Sequence, residues 1–205
     1  MGWIFSLIFL PMLVEAGRAA RNERKQRACG GVEPAGDVYA LMQVAYPGSF
    51  LAMILEGVVR GAPPRSLFLA GIVIFALAKA LKWWAITSLG PAWTFRVIVV
   101  PGMALSTSGP YRWVRHPNYI AVLGEFIGAS LMTGALIAGP LAVAAFGLLI
   151  WRRIKVEEVA IEAGTRVRFG SLGHVDSLSR ETTLEAEGRD RSVTERMGVG
   201  PHRSD

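Results

Sequence analysis

Residues 118–151 read NYIAVLGEFIGASLMTGALIAGPLAVAAFGLLIW, thirty-four positions with a single charged side chain, Glu125. Two apolar runs, about Asn118–Met132 and Leu136–Trp151, meet at Thr133-Gly134, with Gly139-Pro140 close behind. Each run approaches the roughly 20 residues that a helix needs to cross a hydrocarbon core of about 30 Å at about 1.5 Å per residue. A break this short forces the two helices side by side, so the stretch predicts a tight helical hairpin inside a membrane.

Three more apolar runs precede it: about Gly2–Ala16, Val38–Val59 interrupted by Pro47-Gly48, and Leu67–Leu89 with Lys79 and Lys82 towards one end. Gly61–Arg65 is the turn between the second and third. The first run is short for a span. It has no basic leader and no small-residue cleavage site, so it is read as a helix rather than a signal peptide. The whole chain agrees with this pattern: 205 residues, 52% hydrophobic, 19% charged, mean hydropathy +0.38. Disorder of the entire chain is excluded. The expected fold is all-α, a polytopic membrane bundle of about five transmembrane helices over residues 1–163. A polar tail follows over 164–205, with one aromatic residue (Phe169) and no sustained period, and reads as disordered.

The net charge of +6 is confined to the apolar part: residues 1–163 hold 15 Lys and Arg against 9 Asp and Glu, while residues 164–205 hold 7 of each. Basic residues interleaved with apolar runs mark cytoplasmic loops rather than a nucleic-acid face. Arg18, Arg21, Arg24, Lys25 and Arg27, just after the first run, place that loop in the cytoplasm. Five spans then put the 61–65 turn outside, and put the 90–117 segment and Arg152, Arg153 and Lys155 on the cytoplasmic side. Ala- and Gly-rich spans with Arg favoured over Lys point to a bacterial cell membrane. One Cys (Cys29) and three scattered His (His116, His174, His202) predict no metal site. Met42, Met53, Met103 and Met132 read as packing, and no Gly-rich phosphate loop or nucleophile elbow is present.

Chemistry concentrates at two places. In Ser108-Gly109-Pro110-Tyr111-Arg112-Trp113-Val114-Arg115-His116-Pro117-Asn118-Tyr119, Pro117 holds His116 extended and suits the first helical turn. Arg115 and His116 therefore project at a helix N-terminus, where free N–H groups and the dipole favour a carboxylate or phosphate; anchoring to lipid headgroups would use the same residues. In Arg153-Ile154-Lys155-Val156-Glu157-Glu158, Arg153 pairs in spacing with Glu157 (i, i+4) and Lys155 with Glu158 (i, i+3), as on any salt-bridged surface helix. The hairpin, however, brings both places to one end of the bundle. Arg115 and His116 opposite Glu157 and Glu158 could grip a zwitterion, one pair taking its carboxylate and the other its ammonium. Glu125, costly in a bilayer, is either functional or partnered by Lys79 or Lys82. Glu56 and Arg60 form a helix-end ion pair.

Gly109-Pro110-Tyr111-Arg112, then Arg115-His116-Pro117-x-Tyr119, then Arg153-Ile154-x-x-Glu157-Glu158 across one hairpin resembles the isoprenylcysteine carboxyl methyltransferase family of integral membrane enzymes, over about Leu81–Ala163. The resemblance implies S-adenosylmethionine at the cytoplasmic side, roofed in part by the segment after the last span. It also implies a lipophilic or prenylated acceptor arriving from the membrane lipid. Arg115, His116 and Tyr119 would hold the methionine part, and Glu157 or Glu158 its ammonium. Ala121 stands where the family commonly has Gly, and Phe169-Gly170 runs into Ser171-Leu172-Gly173-His174 instead of the family's aromatic continuation. An ionised carboxylate acceptor needs no base; a thiol, phenol or amine would need one, and Glu125 and His116 are the candidates. Phospholipid N-methylation, an NADPH-dependent membrane reductase and a non-enzymatic membrane protein are the alternative readings.

Overall fold

The computed structural model describes residues 2–100 and 107–159. The chain forms five long helices: α1 (Gly2–Ala28), α2 (Tyr39–Arg60), α3 (Arg65–Leu89), α4 (Pro117–Thr133) and α5 (138–159). Short 3₁₀ turns follow α3 at Gly90–Ala92 and precede α4 at Gly109–Arg112. Extended pairing among the described residues is limited to one antiparallel bridge, Val32 with Val99. The fold is all-α. Three helices, α1, α2 and α3, are long and apolar enough to cross a membrane. Helix α4, at 17 residues, reaches about 25 Å. The polar tail, the expected roof, Met103, His174 and His202 lie outside the described residues.

Two element boundaries differ from the sequence reading. The basic stretch 18–27 is the continuation of α1 rather than a loop. Ala, Arg, Glu, Lys and Gln favour helix there, and two buried amides fasten it. Asn22 Nδ2 donates to the carbonyls of Gly90 (3.0 Å) and Trp93 (2.7 Å), and Gln26 Nε2 to those of Pro91 and Ala92 (both 3.0 Å). These contacts satisfy carbonyls that the chain frees on leaving α3. Helix α2 runs unbroken through Pro47. Proline removes one N–H, the one that would meet the Gln43 carbonyl, a loss that helices in lipid tolerate; two residues on, the Ser49 hydroxyl donates to the Ala45 carbonyl at 2.8 Å.

The hairpin forms as the break predicts. Gly134 takes a left-handed conformation (φ +71°), and its N–H caps α4 on the Ser130 carbonyl. Across the turn, Glu56 of α2 accepts hydrogen bonds from the N–H groups of Ile137 (3.0 Å) and Ala138 (2.7 Å). A carboxylate thus supplies the first N–H groups of α5 with acceptors, in addition to its expected ion pair with Arg60 (2.6 Å).

Helices α3 and α4 approach backbone to backbone. A Cβ at Gly128 would lie 2.6 Å from the Phe75 nitrogen, and one at Gly124 would lie 2.9 Å from Ala78 Cβ, so this four-residue pair of glycines sets the separation. Tyr46, Phe50, Phe126 and Phe146 interlock α2, α4 and α5, with ring centroids 4.8–5.6 Å apart. Outward-facing side chains are as apolar as the interior: Leu13, Val44, Leu55, Val59, Leu77, Leu136 and Leu141 are each more than half exposed. Water would not tolerate so continuous an apolar girdle, whereas lipid does.

Candidate functional site

The site is assembled at the end of the bundle where α4 begins and α5 ends. Gly109 makes this possible. Its φ of +58° and its approach to α3, where a Cβ would meet Ser88 Oγ at 2.0 Å, fold the 109–112 turn down against the C-terminal end of α3. Trp113 then packs edge-on against Trp84 (5.8 Å). His116 is the residue before the first turn of α4, with Pro117 inside it. Its ring stacks on Tyr119 one turn later, at 5.5 Å and 21°.

The last turns of α5 face this corner. His116 Nδ1 lies 3.7 Å from Glu157 Oε2, and its Nε2 lies 4.0 Å from Glu158 Oε1. Arg115, its side chain 87% exposed, reaches Glu158 Oε1 at 3.7 Å. The Tyr119 hydroxyl donates to Glu157 Oε2 (3.0 Å) and accepts from Arg153 Nε (2.9 Å). Burial raises the Tyr111 phenol above its ordinary value, and the Glu157 carboxylate adds to the rise, so it stays protonated beside the site. Asn118 Oδ1 is buried and has no hydrogen-bond partner. Arg115, His116, Tyr119, Glu157 and Glu158 are therefore together, two basic groups opposite two acidic ones at separations longer than the 2.7–2.9 Å of a close charge-assisted hydrogen bond.

Glu125 is elsewhere, about 12 Å along α4 from Pro117. It is fully buried and lies 2.9 Å from Lys79 and 3.3 Å from Lys82. The Tyr46 hydroxyl donates to it as well, and Lys82 donates to Tyr46 at 3.0 Å. Glu15 of α1, also fully buried, completes the group at 3.0 Å from Lys79 and 2.7 Å from Lys82. Two carboxylates and two ammonium groups thus neutralise one another inside the bundle. Sequence reading had named Lys79 and Lys82 as possible partners of Glu125 but missed Glu15, whose signal was a lone carboxylate in an otherwise apolar run.

It also missed Asp37. In the segment between α1 and α2, the Asp37 side chain is 3% exposed and lies 3.4 Å from Arg153 Nη1. Its two oxygens accept from the N–H groups of Tyr39 and Val97, both at 3.1 Å. Arg153 Nη2 donates to the Phe95 carbonyl, and Nη1 lies 3.8 Å from Met42 Sδ. Nothing in local spacing connects positions 37, 95 and 153.

Comparison with known proteins bears on the same corner. Residues 70–163 match the isoprenylcysteine carboxyl methyltransferase (ICMT) family, beginning ahead of the Leu81 start that the motifs suggest. The chain is similar to an uncharacterized protein, YpbQ, of Bacillus subtilis (strain 168), at 28% identity over 163 residues, covering 79% of this chain and 97% of that protein. An uncharacterized protein of Haemophilus influenzae is 28% identical over 142 residues, 69% of this chain and 83% of its own length. A protein of Oryza sativa subsp. indica named as a probable protein-S-isoprenylcysteine O-methyltransferase is 31% identical over 94 residues, 43% of this chain and 47% of that protein. The chain therefore aligns with about half the length of the rice protein. No solved structure matches. The stretch that matches the isoprenylcysteine carboxyl methyltransferase family, residues 70–163, holds Arg115, His116, Tyr119, Glu125, Glu157 and Glu158.

Proposed function

We propose that the chain is an integral membrane methyltransferase that takes its methyl group from S-adenosylmethionine and delivers it to a lipophilic acceptor. The observation that carries this is the facing of Arg115 and His116 with Glu157 and Glu158 at 3.7–4.0 Å. Loosely opposed charges can exchange one another for the two ends of an amino acid. Arg115 and His116 would receive the methionine carboxylate at the start of α4. Glu157, oriented by Tyr119, would receive the ammonium, with Glu158 alongside. The buried, unpartnered Asn118 Oδ1 offers a further acceptor in the same first turn. When bound, the cofactor supplies a methyl group activated on sulfonium; the protein's task is then alignment and exclusion of water.

A carboxylate acceptor, as the name of the matching family implies, arrives already ionised and needs no base. For a phenol, thiol or amine, His116 stands at the corner and would take the proton. Glu125 would first have to give up Lys79 and Lys82. The basic residues Arg18, Arg21, Arg24, Lys25, Arg115, Arg152 and Lys155 gather at the end bearing this corner, which supports a cytoplasmic site in a bacterial cell membrane.

Calorimetric titration of the detergent-purified protein tests the reading. Saturable binding of S-adenosylhomocysteine but not NADPH is the expected result. Binding of NADPH alone would make the protein a reductase, and binding of neither would make it non-enzymatic.

A further inference from the structure

Arg153 and Glu157 are one turn apart on α5, the spacing at which an arginine and a glutamate ordinarily pair. Among the described residues they do not pair directly. The guanidinium is instead turned to Asp37 (3.4 Å), to the Phe95 carbonyl and to Met42 Sδ. It touches Glu157 only through the Tyr119 hydroxyl, which accepts from Arg153 Nε at 2.9 Å and donates to Glu157 Oε2 at 3.0 Å. Both Arg153 and Asp37 are almost wholly buried, with side chains 6% and 3% exposed, so each needs the other's charge. Asp37 is itself fixed by the Tyr39 and Val97 N–H groups, in a segment that the Val32–Val99 bridge ties to the 93–99 stretch.

We infer that Asp37 is a positioning residue that withholds the Arg153 cation from Glu157 and so keeps the Glu157 carboxylate available to the ammonium group of the bound ligand. The inference rests on the reading of Glu157 given above and extends it to a residue outside the matched stretch 70–163. Without the Asp37 charge, the carboxylate that hydrogen bonds among the described residues still link to Arg153 is Glu157, one hydroxyl away. The guanidinium would close on it, and the ligand's ammonium would lose its partner. Removing Arg153 as well would release Glu157 again.

The test compares S-adenosylhomocysteine with its analogue in which hydrogen replaces the α-ammonium, by calorimetry on the full chain in detergent. D37N is expected to bind S-adenosylhomocysteine about tenfold more weakly than wild type while binding the analogue equally well. D37N/R153M, which removes both buried charges at once, is expected to recover most of that tenfold. If D37N fails to fold, D37N/R153M alone decides: affinity for S-adenosylhomocysteine within about threefold of wild type supports the inference, and a tenfold loss overturns it. D37N binding both compounds as wild type does, or losing both equally, overturns the inference and leaves the methyltransferase reading standing. Wild-type protein that binds neither compound overturns that reading and the inference with it.

Discussion

The bundle contains the same arrangement twice, at two depths. In its interior Lys82 donates to Tyr46, which donates to Glu125; at its end Arg153 donates to Tyr119, which donates to Glu157. The interior copy is closed. Lys82 also meets Glu125 directly at 3.3 Å, Lys79 and Glu15 bring the remaining opposite charges to 2.7–3.0 Å, and Lys82, Glu15 and Glu125 are at most 2% exposed. The end copy is open. Arg153 is drawn off by Asp37, and the remaining basic groups, Arg115 and His116, stand 3.7–4.0 Å from the carboxylates. Composition does not distinguish a structural charge cluster from a ligand site; saturation does. A cluster whose every charge is met at hydrogen-bonding distance has nothing left to offer a ligand, whereas one held apart does.

The largest effect that could break this contrast is expected in the interior. Lys82→Met or Glu125→Ala leaves the buried cluster of two carboxylates and two ammonium groups with one uncompensated charge, at a cost of about 3–5 kcal/mol. The detergent-solubilised protein should lose its cooperative thermal transition or melt far lower. If Glu125→Gln instead melts like wild type while the pH profile of methyl transfer flattens, the interior copy is catalytic and the contrast fails.

At the open end the expectation reverses. Arg115→Ala, or Glu157→Ala with Glu158→Ala, should weaken S-adenosylhomocysteine binding by about 1.5 kcal/mol or more, the value of lost charge-assisted hydrogen bonds. Thermal stability should change by no more than about 1 kcal/mol, because these side chains are partly solvated and, apart from the Tyr119 hydrogen bond to Glu157, only loosely paired. Equal losses of binding and stability would make the end cluster as structural as the interior one.

How far the sequence could be read follows from the range of the interactions involved. The hairpin and the meeting of Arg115 and His116 with Glu157 and Glu158 were legible because both depend on local signals: a Thr-Gly break, a proline in a first helical turn, and helical spacing. Asp37 and Glu15 were not legible as site or cluster members. Their partners lie 116 and 64 or more positions away, and no periodicity encodes a contact between a segment before α2 and the last turns of α5. The continuation of α1 past Ala16 was hidden for a similar reason. A polar helix there looks like a loop until Asn22 and Gln26 find the carbonyls of 90–93.

A smaller perturbation probes how the open end is held. Gly109→Ala places a methyl group 2.0 Å from Ser88 Oγ and forces a non-glycine residue to φ +58°. A cost of about 1–2 kcal/mol is expected from strain and overpacking. Because the turn carries Tyr111 and leads to His116, ligand affinity should fall together with the melting temperature, a coupling that the Glu157 and Glu158 substitutions should lack. A Gly109→Ala protein that melts lower but binds S-adenosylhomocysteine as wild type does would show that the turn and the site are independent.

The smallest effect lies in the segment that presents Asp37. Glu33 bridges Arg27 (2.7 Å) and Arg96 (2.8 Å) near the water-facing end. Burial alone would raise its pKa, but the hydrogen bonds and charges of Arg96 and Arg27 outweigh it and hold the carboxyl below its ordinary range. A carboxyl depressed in the folded state stabilises that state above its unfolded pKa and loses the contribution as pH falls through the folded pKa. The contribution should therefore be full at neutral pH and fade only under acid conditions. For so exposed a pair it should amount to no more than about 1 kcal/mol. Hydrogen exchange of the 29–37 backbone should accelerate, relative to the intrinsic rate, between pH 6 and pH 3 (on the order of the window set by a lowered carboxylate pKa). Glu33→Gln should show the faster exchange at both pH values. If wild type and Glu33→Gln exchange alike at neutral pH, the salt bridges do not fasten this segment, and the hold on Asp37 comes from the Tyr39 and Val97 N–H groups and the Val32–Val99 bridge alone.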